Sequence, residues 1–236
     1  MKLKLTLSLL ALFVIAVSPS FAEDLCESAY NQALESFKSN AELQQSDFSK
    51  GQDAQKQLAS FITQKLQDCP NESRLYSILA HLYVSFGQNA KALKTATRAI
   101  ELEPTSWEAN FSFSTALSLT GNSAESISYL EKAIDLAPPE NKEHLLVNLC
   151  SVLEFSKQYE QAIDACTNLI NTSKQNRPFG YYARGRSMAA LGKNEEAKKD
   201  YSKAKELGFA GEWWYSDEHI KEGKRAPNHT IKADEN

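Results

Sequence analysis

The sequence AIELEP at residues 99–104 returns as AIDLAP at residues 133–138, a spacing of 34 residues. The same spacing separates Gly87 from Gly121, which precede the two strings. A period of this length is typical of repeated supersecondary units, none of which can bury its apolar face alone. Neighbouring units must therefore cover one another, and the chain is predicted to grow as a stack rather than around one central core.

Each repeat is predicted to be a helical hairpin, because apolar residues recur at helical spacing on both sides of the glycine. In the first repeat these residues are Tyr76, Leu79, Ala80 and Tyr83, then Ala92, Ala96 and Ala99. The small residue near the start of the second helix marks four repeats: Ala92, Ser126, Ala162 and Ala197. The turn glycine is present in three of them, as Gly87, Gly121 and Gly192, and Lys157 takes its place in the third.

This arrangement resembles the tetratricopeptide repeat family, whose signature places bulky and small residues before the turn, and alanines and a final proline after it. The four repeats are 73–106, 107–140, 143–176 and 178–211; the third has lost both the glycine and the proline. The resemblance implies an all-α fold, a right-handed superhelical solenoid of helix hairpins. It also implies a concave groove that binds a protein or peptide partner.

Two kinds of core position follow from this pattern. Helices that cross closely need a small side chain at the contact, and that position is filled by Ala80, Ser114, Cys150 and Gly185. Arg184 stands where a core leucine is expected. A guanidinium at such a position needs a carboxylate partner, so we expect an acidic side chain beside it.

Four cysteines are predicted to form two disulfides. Residues at the same level of an antiparallel hairpin lie symmetrically about its turn, and the midpoint of Cys150 and Cys166 falls at the turn beside Lys157. The midpoint of Cys26 and Cys69 falls beside Asp47, in a polar stretch that suits the turn of an N-terminal hairpin. The alternative is that the small thiols only fill close helix contacts.

Residues 1–22 read as a secretory signal peptide. Lys2 and Lys4 precede an apolar run, 5–17, that is short for a membrane span, and Ser20 and Ala22 give a cleavage pattern of small residues before Glu23. Export to the periplasm is predicted, with secretion as the alternative. The mature chain is expected to be soluble, with no membrane helix.

The ends of the array differ from the repeats. Residues 23–70 are predicted to form a helical hairpin, either a cap or a diverged repeat. Residues 212–222, which contain the aromatic cluster Trp213, Trp214 and Tyr215, are predicted to form a capping helix. The last stretch, 223–236, is charged and poor in large apolar groups, which predicts disorder.

Charge argues against nucleic acid as a ligand. The formal net charge is −4 and falls to −6 once Lys2 and Lys4 are removed, and the remaining lysines are interleaved with acidic residues. A phosphate backbone needs a concentrated basic face. Four scattered histidines lack the close spacing of a zinc site, and no cofactor is expected.

The family resemblance places ten residues on the groove: Arg74, Ser77, His81, Phe111, Thr115, Val147, Ser151, Glu154, Tyr182 and Arg186. Aromatic and aliphatic groups mixed with hydrogen-bond donors suit an extended peptide or a partner helix. The leading interpretation is therefore an exported scaffold for an unidentified protein or peptide, acting in envelope assembly, transport or regulation. One alternative is a homo-oligomer joined through Trp213 to Tyr215.

An enzyme or metal-dependent protein built around Arg184, Arg186, His81 and His144 is a further alternative. No catalytic residue is predicted, because neither a nucleophile with its base, nor paired acids, nor a phosphate-binding loop accompanies these residues.

Overall fold

The computed structural model describes residues 19–173, 175 and 177–209, which form ten α-helices and no strand. The helices are α1 (Pro19–Ser46), α2 (Phe48–Asp68), α3 (Ser73–Ser85), α4 (Asn89–Leu102), α5 (Trp107–Leu119), α6 (Ser123–Leu136), α7 (Pro139–Phe155), α8 (Tyr159–Thr172), α9 (Arg177–Ala190) and α10 (Asn194–Glu206). The prediction of an all-α chain of helical hairpins is confirmed. The described residues divide into two compact units, with the boundary between Glu72 and Ser73.

The first unit contains the hairpin of α1 and α2. Asp47 separates the two helices and caps α2, since its carboxylate accepts a hydrogen bond from the Lys50 backbone N–H at 3.1 Å. The helices approach so closely that a Cβ at Gly51 would lie 2.5 Å from the Gln44 Cα. Cys26 and Cys69 come together at disulfide distance, with Cα atoms 5.6 Å apart. The predicted pairing and the predicted turn at Asp47 are both confirmed.

In the second unit, four hairpins follow one another: α3–α4, α5–α6, α7–α8 and α9–α10. The first helix ends in the left-handed conformation at Gly87, Gly121 and Gly192, with φ of 68°, 88° and 76°. Lys157 has the same conformation with φ of 59°. The four predicted turn positions are therefore confirmed, including the one that lacks glycine.

Small residues bring the helices of each hairpin together. The Ser114 hydroxyl donates to the Ser126 carbonyl at 2.7 Å, and the Ser126 hydroxyl donates to the Ser114 carbonyl at 2.9 Å. Both buried hydroxyls are therefore hydrogen-bonded across the hairpin. At Gly185, a Cβ would lie 2.8 Å from the Tyr201 ring. The expected small contacts at Ser114 and Gly185 are thus explained by the spacing of the two helices.

The α7–α8 hairpin contains Cys150 and Cys166, both fully buried and at disulfide distance, with Cα atoms 5.2 Å apart. In the next hairpin, Arg184 binds Asp200 through two nitrogens at 2.7 and 2.8 Å and also donates to Thr167 at 3.0 Å. The expected second cysteine pair and the expected carboxylate partner of Arg184 are both present.

The first helices do not all pack against each other equally. Helix α3 packs along α5, and α7 packs along α9, whereas α5 and α7 make few direct contacts. Helix α7 has 17 residues, compared with 13 in each of α3 and α5. The third hairpin therefore begins with an additional turn of helix, and its first helix is set apart from that of the second hairpin.

Several predicted segments lie wholly or partly outside the described residues: most of the signal peptide, the end of the fourth repeat at 210–211, the capping helix at 212–222 and the tail at 223–236. In the part of the chain that the structure does describe, every helix is too short or too polar to cross a lipid bilayer.

Candidate functional site

The residues predicted to bind a partner lie on α3, α5, α7 and α9, the first helices of the four hairpins; we call the surface of these helices the first-helix face. Glu154 on α7 and Arg186 on α9 form an ion pair at 2.7 Å, and the two side chains are 12% and 27% exposed. The Arg186 guanidinium also lies 5.7 Å from the centre of the Tyr182 ring. Three predicted residues are therefore brought together into one charged and aromatic assembly.

A second cluster on the same face surrounds Phe111. The Phe111 ring centre is 4.9 Å from that of His81 on α3 and 5.3 Å from that of His144 on α7. Trp107 is a further neighbour of His144, at 6.0 Å. The cluster connects three successive first helices through aromatic contacts.

Both histidines of this cluster favour the neutral imidazole. Burial, together with the neighbouring His144, lowers the pKa of His81 to about 4. Burial also lowers the pKa of His144, although a backbone hydrogen bond involving Asn141 acts in the opposite direction. Near neutral pH the Phe111 cluster is therefore uncharged.

The remaining predicted groove residues occupy different environments. Arg74 and Val147 are half-buried. Thr115 and Ser151 are half-buried as well, and each donates its hydroxyl to a carbonyl one turn earlier, Phe111 at 3.0 Å and Val147 at 2.9 Å.

Ser77 differs from the expectation. Its side chain is only 2% exposed and donates to the Ser73 carbonyl at 3.2 Å. A serine that is satisfied by its own helix can be buried at little cost, so Ser77 lies beneath the surface rather than on it.

A cleft of about 450 Å³ lies beside the Phe111 cluster. The predicted residues Phe111, Thr115 and Ser151 line it. The other lining residues are Val84, Ser114, Ser118, Leu119, Ser123, Leu130, Asn148, Val152, Phe155 and Ser156. Sequence reasoning missed these ten, although Asn148, Val152 and Phe155 share a helical stripe with Ser151, which is a signal that could have found them.

The residues considered for catalysis do not form one site. Arg184 is paired with Asp200 inside the α9–α10 hairpin, and the hydrogen bond that it donates to this carboxylate raises the pKa of the guanidinium despite burial. His81 and His144 belong to the Phe111 cluster instead. Among the residues that the structure describes, no three histidine, cysteine, aspartate or glutamate side chains are grouped so that they could hold a metal ion.

The tetratricopeptide repeat model matches residues 73–106, 108–140 and 180–207. Comparison with curated proteins gives no sequence match.

Solved structures with a similar fold include two of MamA and one of YrrB. A crystal structure of MamA is 22% identical, with a TM-score of 0.58, and the match covers 68% of this chain and 92% of that one. MamA from Desulfovibrio magneticus RS-1 is 13% identical with a TM-score of 0.59, and the match covers 75% of this chain and 98% of that one. YrrB, described as a TPR protein with an unusual peptide-binding site, is 15% identical with a TM-score of 0.56, and the match covers 79% of this chain and 93% of that one. The chain is therefore a helical solenoid that contains tetratricopeptide repeats.

Proposed function

We propose that this chain is an exported scaffold that binds a protein or peptide partner on its first-helix face and performs no chemistry of its own. The four repeats 73–106, 107–140, 143–176 and 178–211 form the binding array in this proposal, and residues 23–70 precede it as a cap or diverged repeat. Stacked repeats of this type are a protein-interaction fold, because they offer an extended surface assembled from successive units.

The observation that carries the proposal is the assembly of Glu154, Arg186 and Tyr182 on the same first-helix face as the Phe111 cluster. Arg186 lies over the Tyr182 ring and is partly exposed, and Tyr and Arg are the residue types that are enriched in protein-binding surfaces and contribute much of the affinity there. The face offers both apolar rings and charged hydrogen-bonding groups to a polypeptide.

Export to the periplasm is supported by two independent features. The N-terminal sequence has the basic, apolar and small-residue order of a signal peptide. Both cysteine pairs lie at disulfide distance, and disulfides persist mainly in oxidising compartments. A partner in the same compartment, engaged during envelope assembly, transport or regulation, fits this placement.

The experiment is capture of the partner by the tagged, processed chain, crosslinked in its native compartment. We expect a distinct protein to co-purify. A variant that combines Tyr182→Ala, Glu154→Gln and Arg186→Gln should fail to capture this protein, because the ring and both charges are absent. Both charges are removed together so that neither is left buried without its partner.

The matched control is the double variant R98Q and E101Q, which removes an exposed ion pair of α4. In this pair Arg98 and Glu101 are 3.6 Å apart. This control should retain capture. Recovery of the chain alone, or undiminished capture by the triple variant, would contradict the proposal.

A further inference from the structure

The cleft beside the Phe111 cluster has a structural origin particular to this chain. Ser126 and Ala162 are 36 residues apart, two more than Ala92 and Ser126, and α7 is correspondingly longer at its start. Ring contacts join α5 and α7 at His144, in the first half of α7. The second halves of the two helices line the cleft, so the space between them is left open instead of being filled by core side chains.

The lining of this cleft carries no charged side chain: it consists of six apolar residues, six serines and threonines, and Asn148. Two large apolar side chains of the lining are exposed to solvent, Leu119 at 46% and Phe155 at 68%. A charged group that entered here would lose its hydration without gaining a partner. An apolar group would instead cover Leu119 and Phe155 and gain from their removal from water.

Several polar atoms of the lining can accept a hydrogen bond from a ligand. Thr115 and Ser151 already donate their hydroxyl hydrogens to carbonyls of their own helices. Asn148 donates one amide N–H to the His144 carbonyl at 2.8 Å, and its side-chain oxygen can accept a hydrogen bond. These atoms suit a ligand that brings N–H donors together with apolar bulk, which is the composition of an uncharged peptide segment.

We propose that the cleft between α5 and α7 is the anchor site of the partner: it takes an uncharged, extended peptide segment with a large apolar residue, Phe or Leu, at its centre. The inference rests on the proposed function and names the partner chemistry of one part of the first-helix face.

The spacing of the acceptors agrees with an extended segment. Asn148 and Ser151 are three residues apart on α7, which places their side chains about 5–6 Å from each other. In an extended strand, N–H groups that point to the same side are two residues or about 6.7 Å apart. Two successive N–H groups on one side of the peptide can therefore reach both acceptors while the apolar side chain enters the cleft.

The test uses the full processed chain and a set of labelled heptapeptides, acetylated and amidated, that differ only at the central residue: Phe, Leu, Ala, Lys or Glu. Fluorescence anisotropy measures the Kd of each. We expect the Phe and Leu peptides to bind at least about tenfold more tightly than the Ala peptide, and the Lys and Glu peptides to bind no better than Ala.

Variants then locate the site. Phe155→Ala should weaken the Phe peptide about tenfold, and Ser151→Trp should fill the cleft and remove binding. Phe48→Ala is the matched control, because Phe48 is similarly exposed at 62% but belongs to α2. Unchanged thermal melting of the Phe155 variant, whose ring is mostly in solvent, would show that its fold is intact.

Several results would overturn the proposal: no selectivity for Phe over Lys, undiminished binding by the Phe155 variant, or a dimer that depends on Phe155. Peptide binding that appears only after Trp213 and Trp214 are both replaced by Ala would mean that residues 210–236 occupy the cleft. That result would overturn the proposal too. If the peptides fail while the Tyr182, Glu154 and Arg186 variant still loses partner capture, the anchor site is wrong and the scaffold function stands.

Discussion

Lys157 adopts, in the turn between α7 and α8, the left-handed backbone conformation that Gly87 adopts between α3 and α4. The hydrogen bonds around the two residues correspond as well. Lys157 N–H binds the Glu154 carbonyl at 3.0 Å, and Gly87 N–H binds the Val84 carbonyl at 2.9 Å. The third hairpin thus closes in the same way as the first, but with a side chain where glycine is the unstrained choice.

Replacing Lys157 by glycine is therefore expected to stabilise the chain by about 1 kcal/mol. The substitution removes the strain of the left-handed conformation, and this gain is partly offset because glycine has more conformational entropy in the unfolded state. Urea unfolding followed by far-ultraviolet circular dichroism measures the change. Gly121→Ala is the reverse experiment and should destabilise by about 1 kcal/mol, since no heavy atom lies within 4 Å of a Cβ there and only backbone strain is added. A less stable Lys157→Gly variant would contradict this account of the turn.

The Cys150 and Cys166 pair is expected to stabilise the hairpin that lacks both the turn glycine and the final proline. Closing a loop of this size contributes about 3 kcal/mol in the chain-entropy model. A variant with both residues replaced by alanine should unfold at a lower urea concentration. Its second-unit transition should no longer respond to reductant, whereas that of the native chain should. An equal response of both proteins to reductant would contradict the prediction.

The bidentate pair of Arg184 and Asp200 is predicted to matter far more than an exposed ion pair. Asp200 is 9% exposed, so Asp200→Asn leaves a half-buried guanidinium without its charge partner and should cost about 3 kcal/mol. Glu101→Gln, which breaks an exposed pair with Arg98, should cost less than about 0.5 kcal/mol. Equal losses in thermal or urea unfolding would show that Arg184 is not held as described.

Acid should destabilise the second unit through the Phe111 cluster. The pKa of His81 is lowered to about 4 from its ordinary 6.5, so the unfolded chain binds a proton more readily than the folded chain. The contribution of His81 to stability is therefore complete above about pH 6.5 and is lost as the pH falls toward about 4. His144, whose pKa is also lowered, acts in the same direction.

His81→Phe keeps a ring against Phe111 but cannot titrate, so its unfolding free energy should depend less on pH over this interval than that of the native chain. Urea unfolding at several pH values measures both proteins. Identical pH dependence would mean that His81 is accessible to protons in the folded state.

The sequence was most informative where local chemistry decides the structure. The turn at Lys157 and both cysteine pairs follow from spacing along single hairpins, and Arg184 needs a carboxylate partner because it occupies a core position of the repeat. These features depend on neighbours within one hairpin, whose geometry is fixed by helix periodicity.

The cleft could not be predicted in the same way. It depends on the distance between α5 and α7, which belong to different hairpins. The additional residues of the third repeat change this distance, and helix periodicity does not predict by how much. The burial of Ser77 was missed for a related reason, because a serine that bonds to its own helix is equally compatible with the surface and the interior.

Site-specific photo-crosslinking tests the central claim, partner binding on the first-helix face, most directly. A photoreactive phenylalanine analogue would replace Tyr182 on α9 in one version of the chain and the exposed Lys94 on α4 in another. In cells irradiated with the protein in its native compartment, the account predicts a crosslink to a distinct protein from position 182 and none from position 94. A crosslink to that protein from position 94 alone would contradict the account, and so would the absence of any partner from position 182.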